Sequence, residues 1–177
     1  MTYIRIVLEF CEIEEAMTMK VYSAEIIADY FRSRTNAEVG DLISNLKLQK
    51  LCYYAAGVIA AARKDDDKPL FKDPIKAWLH GPVVPTVYHK FKEHGSSEIP
   101  PIQDCDFSTI DDRDRAVLDD VYNYYGQYSA WKLRNMTHEE APWLDAYEQA
   151  DDTITTAALR AFFSQEFDED YLNSYHS

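Results

Sequence analysis

The sequence predicts a mainly α-helical fold: a compact single-domain helical bundle with a small β element near residues 75–84. Three observations predict it. Apolar residues recur at helical spacing through most of the chain. The helical period fails in one stretch, where Pro69, Pro74, Pro82 and Pro85 crowd together. The chain's 177 residues are 46% apolar and 28% charged, and no linker or internal repeat divides them.

The elements follow in order. Ile4, Ile6, Leu8 and Phe10 alternate as in a strand, but residues 1–18 also read as an extension or a mis-assigned start, with Met17 or Met19 as the true beginning. Ser23 is placed to cap a helix with Glu25 in its first turn and Ile26, Ile27, Tyr30 and Phe31 on one face, ending before Gly40. From Ser44 or Asn45, the residues Leu48, Leu51, Cys52, Ala55, Val58, Ile59 and Ala62 form the strongest stripe, an amphipathic central helix. Gly57 lies off that stripe, where it permits close approach of a second element.

Residues 63–68 read as a polar turn. Ile75, Ala77 and Leu79 alternate as a short strand ending at His80-Gly81-Pro82, and Pro85 opens a helix through Val87, Tyr88 and Phe91 that stops at Gly95. Residues 96–108 read as a loop. Thr109 with Asp112 resembles a capping box for the stripe Val117, Leu118, Val121, Tyr122 and Tyr125, closed by Gly126. Ser129 opens a short helix through Trp131, Leu133 and Met136. Thr137 with Glu140 resembles a second box before Trp143 and Tyr147, and Leu159, Phe162 and Phe163 mark a last helix. The domain is expected to span residues 19–167, followed by an acidic tail at 168–177.

Composition narrows the function. The net charge is −13, the wrong sign for neutralising phosphates, so general nucleic-acid binding is disfavoured. Residues 104–177 carry 5 basic and 17 acidic side chains, a net of −12, which gives either a solvated surface or a face for a basic partner. Three scattered cysteines make no disulfide framework or zinc motif, and their odd number favours a reducing compartment. No run approaches a membrane span and the N-terminus lacks a basic signal start, so a cytoplasmic protein without membrane contact is expected.

Catalytic signatures are scarce. The five glycines are too dispersed for a phosphate loop. His138-Glu139-Glu140 suggests a metalloprotease only superficially, because the second histidine four residues on is missing. A metal-dependent hydrolase around His138 is therefore the remote alternative, and no cofactor is expected. Thirteen tyrosines and three tryptophans, several beside prolines or turns (Trp78, Tyr88, Tyr128, Trp143), point instead to a binding surface, or to rings that fill the core.

The segments SNLKLQKLCYYAAG (44–57), WLHGPVVPTVY (78–88) with GSS (95–97), YYGQYSAWKL (124–133) and MTHEEAPW (136–143), in this order and spacing, together resemble the Panacea domain of SocA-type antitoxins, also found in phage-associated proteins. Cys52, Ala56 and Ala141 depart mildly from that pattern, and no helix-turn-helix extension is apparent. The resemblance covers roughly residues 20–165. It implies a type II antitoxin that binds a cognate toxin encoded nearby, with delivery of that toxin to an ATP-dependent protease as the alternative. It implies no enzyme. The β element and adjoining helix, through Trp78, His80, Pro82, Val83 and Tyr88, are the expected partner-binding surface, with His138 and Trp143 beside them.

Overall fold

The computed structural model describes residues 19–36, 42–64 and 66–176. The alternating segment at 4–10 and the choice between Met17 and Met19 as a start concern residues 1–18; apart from Met19 itself, these lie outside the described residues, as does Gly40. Helices dominate. They are α1 (Ala24–Ser33), α2 (Asn45–Ala62), α3 (Pro85–Phe91), α4 (Asp112–Tyr125), α5 (Ala130–Thr137), α6 (Ala141–Tyr147), α7 (Thr156–Glu166) and α8 (Glu169–Ser174). A 3₁₀ turn, Lys92–His94, extends α3 to Gly95.

The central helix is α2, capped by Ser44, whose hydroxyl accepts the Lys47 amide. Every residue of its predicted stripe is buried, but so are Tyr53, Tyr54, Ala56, Ala60 and Ala61 between them. The helix is therefore enclosed almost all round rather than amphipathic. Its alanines and Gly57 are the reason, since small side chains let neighbouring helices approach from several sides. A Cβ at Gly57 would lie 2.2 Å from Cε2 of Phe163, so α7 packs where only glycine fits.

Among the described residues, two small antiparallel sheets flank the helices. Strands β2 (Ile75–Trp78) and β3 (Gly81–Val83) form a hairpin in which Trp78 faces Gly81 and Lys76 faces Val83. Strand β5 (Thr153–Ile154) joins the other edge of β2, pairing Ile154 with Ile75. Strands β1 (Ile43–Ser44) and β4 (Glu98–Ile99) make the second sheet, with Ile43 opposite Ile99. β1, β4 and β5 are two residues each, too short for a period-2 pattern, and β4 falls inside the segment expected to be loop.

Both expected capping boxes are corrected. Asp111, without a side-chain cap, precedes α4. Thr137 ends α5 with its hydroxyl donating to the Arg134 carbonyl, while Glu140 precedes α6 and turns its carboxylate inward. Ser23 and Ser129 do cap their helices as the sequence indicates.

The polar turn after α2 conceals a second organising feature. Arg63 is fully buried against Asp114, with Nη2 3.0 Å from Oδ2. The guanidinium also donates to the carbonyls of Lys20, Lys68 and Pro69, and Asp114 accepts from the hydroxyls of Tyr22 and Tyr175. Burial and the adjoining carboxylate raise the Tyr175 hydroxyl to about 12, so it stays a donor at neutral pH. Segment 168–176 is thus no free tail. It carries α8, capped by Asp168, and docks through buried Leu172 and Tyr175.

Candidate functional site

The polar residues of α2 explain the hairpin. Helical spacing directs Asn45, Gln49 and Lys50 towards residues 82–88. Asn45 Nδ2 donates to the Tyr88 carbonyl (3.2 Å), Gln49 Oε1 accepts the Val84 amide (2.9 Å), and Lys50 Nζ donates to the Pro82 carbonyl (2.8 Å). Gln49 also donates to Asn45, which fixes its amide orientation. K-L-Q-K-L is therefore a clamp on the backbone of G-P-V-V-P.

A second clamp comes from the T-H-x-x-x-P-W segment. Trp143 Nε1 donates to the Trp78 carbonyl at 3.0 Å, and His138 Nε2 lies 3.1 Å from the Leu79 carbonyl. His138 Nδ1 faces the Arg134 carbonyl at 2.7 Å, and the imidazole lies against Trp143 with ring centroids 3.8 Å apart. Gly81 sits between the two clamps with φ +94°. A Cβ there would meet Thr137 Oγ1 at 2.7 Å and Lys50 Cε at 2.9 Å. Only glycine satisfies both the backbone and the space.

Five side chains thus hold the backbone of residues 78–88. Each such bond contributes about 1 kcal/mol net, and more is lost when a buried partner is left unsatisfied. The turn residues Leu79 and His80 project outward, with Leu79 63% exposed. Trp131 on α5 is 58% exposed, 6.5 Å from the His80 ring, with the Arg134 guanidinium 5.3 Å from its face. On the other flank Trp78 and Tyr88 pack edge to face at 5.1 Å, both half-buried.

All seven sequence-predicted residues meet around this hairpin. Trp78, His80, Tyr88 and His138 retain accessible surface, whereas Pro82, Val83 and Trp143 are buried beneath it. Sequence reasoning missed Leu79, assigned to the strand alternation, and Trp131, assigned to the α5 stripe. Only the hairpin register and the burial of Leu133 reveal that both point outward.

Both His138 ring nitrogens face backbone carbonyls, of Arg134 and Leu79, and the tautomer decides which of the two receives the N–H. Among the described residues no group of three or more His, Cys, Asp or Glu is placed to hold a metal ion. Burial pushes the Cys52 thiol far above its ordinary range, away from the reactive thiolate. Burial also raises Glu140, partly offset by donors from Tyr53 (2.7 Å) and Tyr54 (2.8 Å), so this carboxylate anchors α6 to α2. Burial, reinforced by the Arg134 charge, lowers Lys50 to about 7. No described helix is long and apolar enough to cross a membrane.

A helical core thus clamps the hairpin and leaves its turn residues open to solvent. The family model for the antitoxin SocA-like, Panacea domain matches residues 48–144, more than half of the chain, and the chain belongs to that family. The match runs from α2 into α6 and includes Gln49, Lys50, His138 and Trp143 of the two clamps. Antitoxin SocA of Caulobacter vibrioides (strain NA1000 / CB15N) is 44% identical over 57 residues, 32% of this chain and 29% of that protein. The matched stretch therefore spans less than a third of that relative's length. No solved structure matches the chain. Family membership supports an antitoxin role.

Proposed function

We propose that the protein is the antitoxin of a type II toxin–antitoxin pair and neutralises a cognate toxin, encoded nearby, by direct binding through the clamped hairpin. The observation that carries this reading is the contrast between a backbone held at five points and the exposed Leu79 and Trp131 beside it. Large apolar and aromatic side chains on a rigid base bind with little ordering cost, which is how interface hot spots act. His80, Trp78 and Tyr88 extend the contact surface, while Pro82, Val83, His138 and Trp143 shape it from below.

Co-expression with the toxin encoded beside this gene tests the reading. Leu79→Asp combined with Trp131→Ala is expected to abolish growth rescue and co-purification while leaving the melting temperature unchanged. Rescue by a normally folded double variant would remove the hairpin from the toxin contact. Rescue accompanied by toxin disappearance, without a stable complex, would replace steric neutralisation with delivery to an ATP-dependent protease.

A further inference from the structure

A second surface lies on the acidic half of the molecule. Val121, Tyr124 and Tyr125 of α4 and Phe167 and Tyr171 near α8 line an open groove of about 470 Å³. Its surface is mainly apolar, and Tyr124 stands 55% exposed along it. Two carboxylates flank this lining. Asp120 accepts the Tyr171 hydroxyl at 3.0 Å, and Asp168 accepts the Tyr171 amide at 2.7 Å. Each is held by one oxygen, and neither pairs with a cation among the described residues. Beyond the Tyr124–Tyr125 wall the lining continues into a smaller pocket that carries Glu139 and Glu166, also without a cation partner.

From this we infer that the groove docks a basic amphipathic segment of a protein partner, its apolar side chains against the tyrosines and its lysines or arginines towards Asp120 and Asp168. The inference rests on the reading of the chain as a protein-binding module and adds a site distinct from the hairpin turn. Charge complementarity selects the occupant. Residues 104–177, which supply nearly all of the groove, carry a net of −12 from 5 basic and 17 acidic residues. An acidic segment is repelled there, and a purely apolar one leaves the carboxylates unanswered. A second copy of the chain presents the same overall −13 and is disfavoured for the same reason.

The test uses the full chain and a labelled leucine–arginine peptide with its leucines on one helical face, followed by fluorescence anisotropy and amide NMR shifts. Binding is expected with shifts centred on Val121, Tyr124, Phe167 and Tyr171, while a leucine–glutamate counterpart does not bind. Tyr124→Ser, and separately Asp120→Asn with Asp168→Asn, should each weaken binding about tenfold. Asp145→Asn with Glu148→Gln removes equal charge from exposed positions on and just after α6 and should change it less than twofold. Equal losses from the two charge-removal pairs, or shifts spread over the whole acidic face, would show non-specific attraction and overturn the inference. A dimer in sedimentation that Tyr124→Ser dissolves would overturn it too, by making the groove a self-interface. Leu79→Asp with Trp131→Ala should leave peptide binding intact. Failure of the hairpin reading therefore appears only in the neutralisation assay, and failure of the groove only here.

Discussion

The two ends of α2 bury charge in opposite ways. At its C-terminus Arg63 meets Asp114, and both are wrapped in further donors and acceptors from Tyr22, Tyr175 and the backbone of residues 20, 68 and 69. In its N-terminal half Lys50 is just as buried, but its partner is the Pro82 carbonyl and its neighbouring charge is the like-signed Arg134. A compensated pair holds distant chain segments together, whereas an uncompensated cation is tolerated where a hairpin must be seized from inside. The first end ties distant segments together, and the second grips the hairpin.

Disrupting the compensated end should have the largest effect on stability. Asp114→Asn leaves the Arg63 charge buried without its counter-charge and is expected to cost about 3–5 kcal/mol, read by urea unfolding. A loss below 1 kcal/mol would mean that the backbone carbonyls alone satisfy Arg63. At the end that grips the hairpin the large effect should fall on binding instead. Leu79→Asp with Trp131→Ala should weaken toxin binding by about 2 kcal/mol or more, roughly thirtyfold, with unfolding unchanged.

Between these two ends, Gly57→Ala forces a Cβ into the Phe163 ring and should destabilise by about 1–3 kcal/mol. Phe163→Leu in the same chain should recover part of that loss. Trp143→Phe keeps the ring against His138 but deletes the donor to the Trp78 carbonyl, for about 1 kcal/mol. Faster amide exchange confined to residues 77–83 would tie the loss to the clamp, and uniform acceleration would show that the hairpin opens with the whole fold.

A further effect depends on pH. The Lys50 amine titrates near 7 in the folded chain and about 10.4 when unfolded. Between those values the unfolded state binds more protons, so stability rises with pH by at most about 1.4 kcal/mol per unit. Below pH 7 the cost of burying the cation is fully present. Lys50→Met should flatten the slope between pH 7 and 9.5, measured by denaturant midpoints. An unchanged slope would assign it to another group.

Much of the fold was legible in local sequence. Ser23, Ser44 and Ser129 mark helix starts because an N-cap bond needs a short side-chain oxygen three residues before the amide it accepts. Pro85 and the proline cluster mark where the helical period breaks. The two expected capping boxes failed because the same residue types served other partners: Thr137 bonds within α5, and Glu140 is drawn inward by Tyr53 and Tyr54. The acidic C-terminus gave no sign of its docking, since Tyr175 meets Arg63 and Asp114 only after the chain has closed.

By itself the sequence determined a helical class, a central helix over residues 45–62 and a β element near 75–84. Those follow from periodicity, caps and prolines, which act within a few residues. Tertiary structure alone decided that Asn45, Gln49 and Lys50 grip a backbone rather than face water. It also put Pro82, Val83 and Trp143 beneath the surface and Leu79 and Trp131 on it. Which side of a half-apolar segment is covered depends on the element that arrives from elsewhere in the chain, and local spacing carries no record of that arrival.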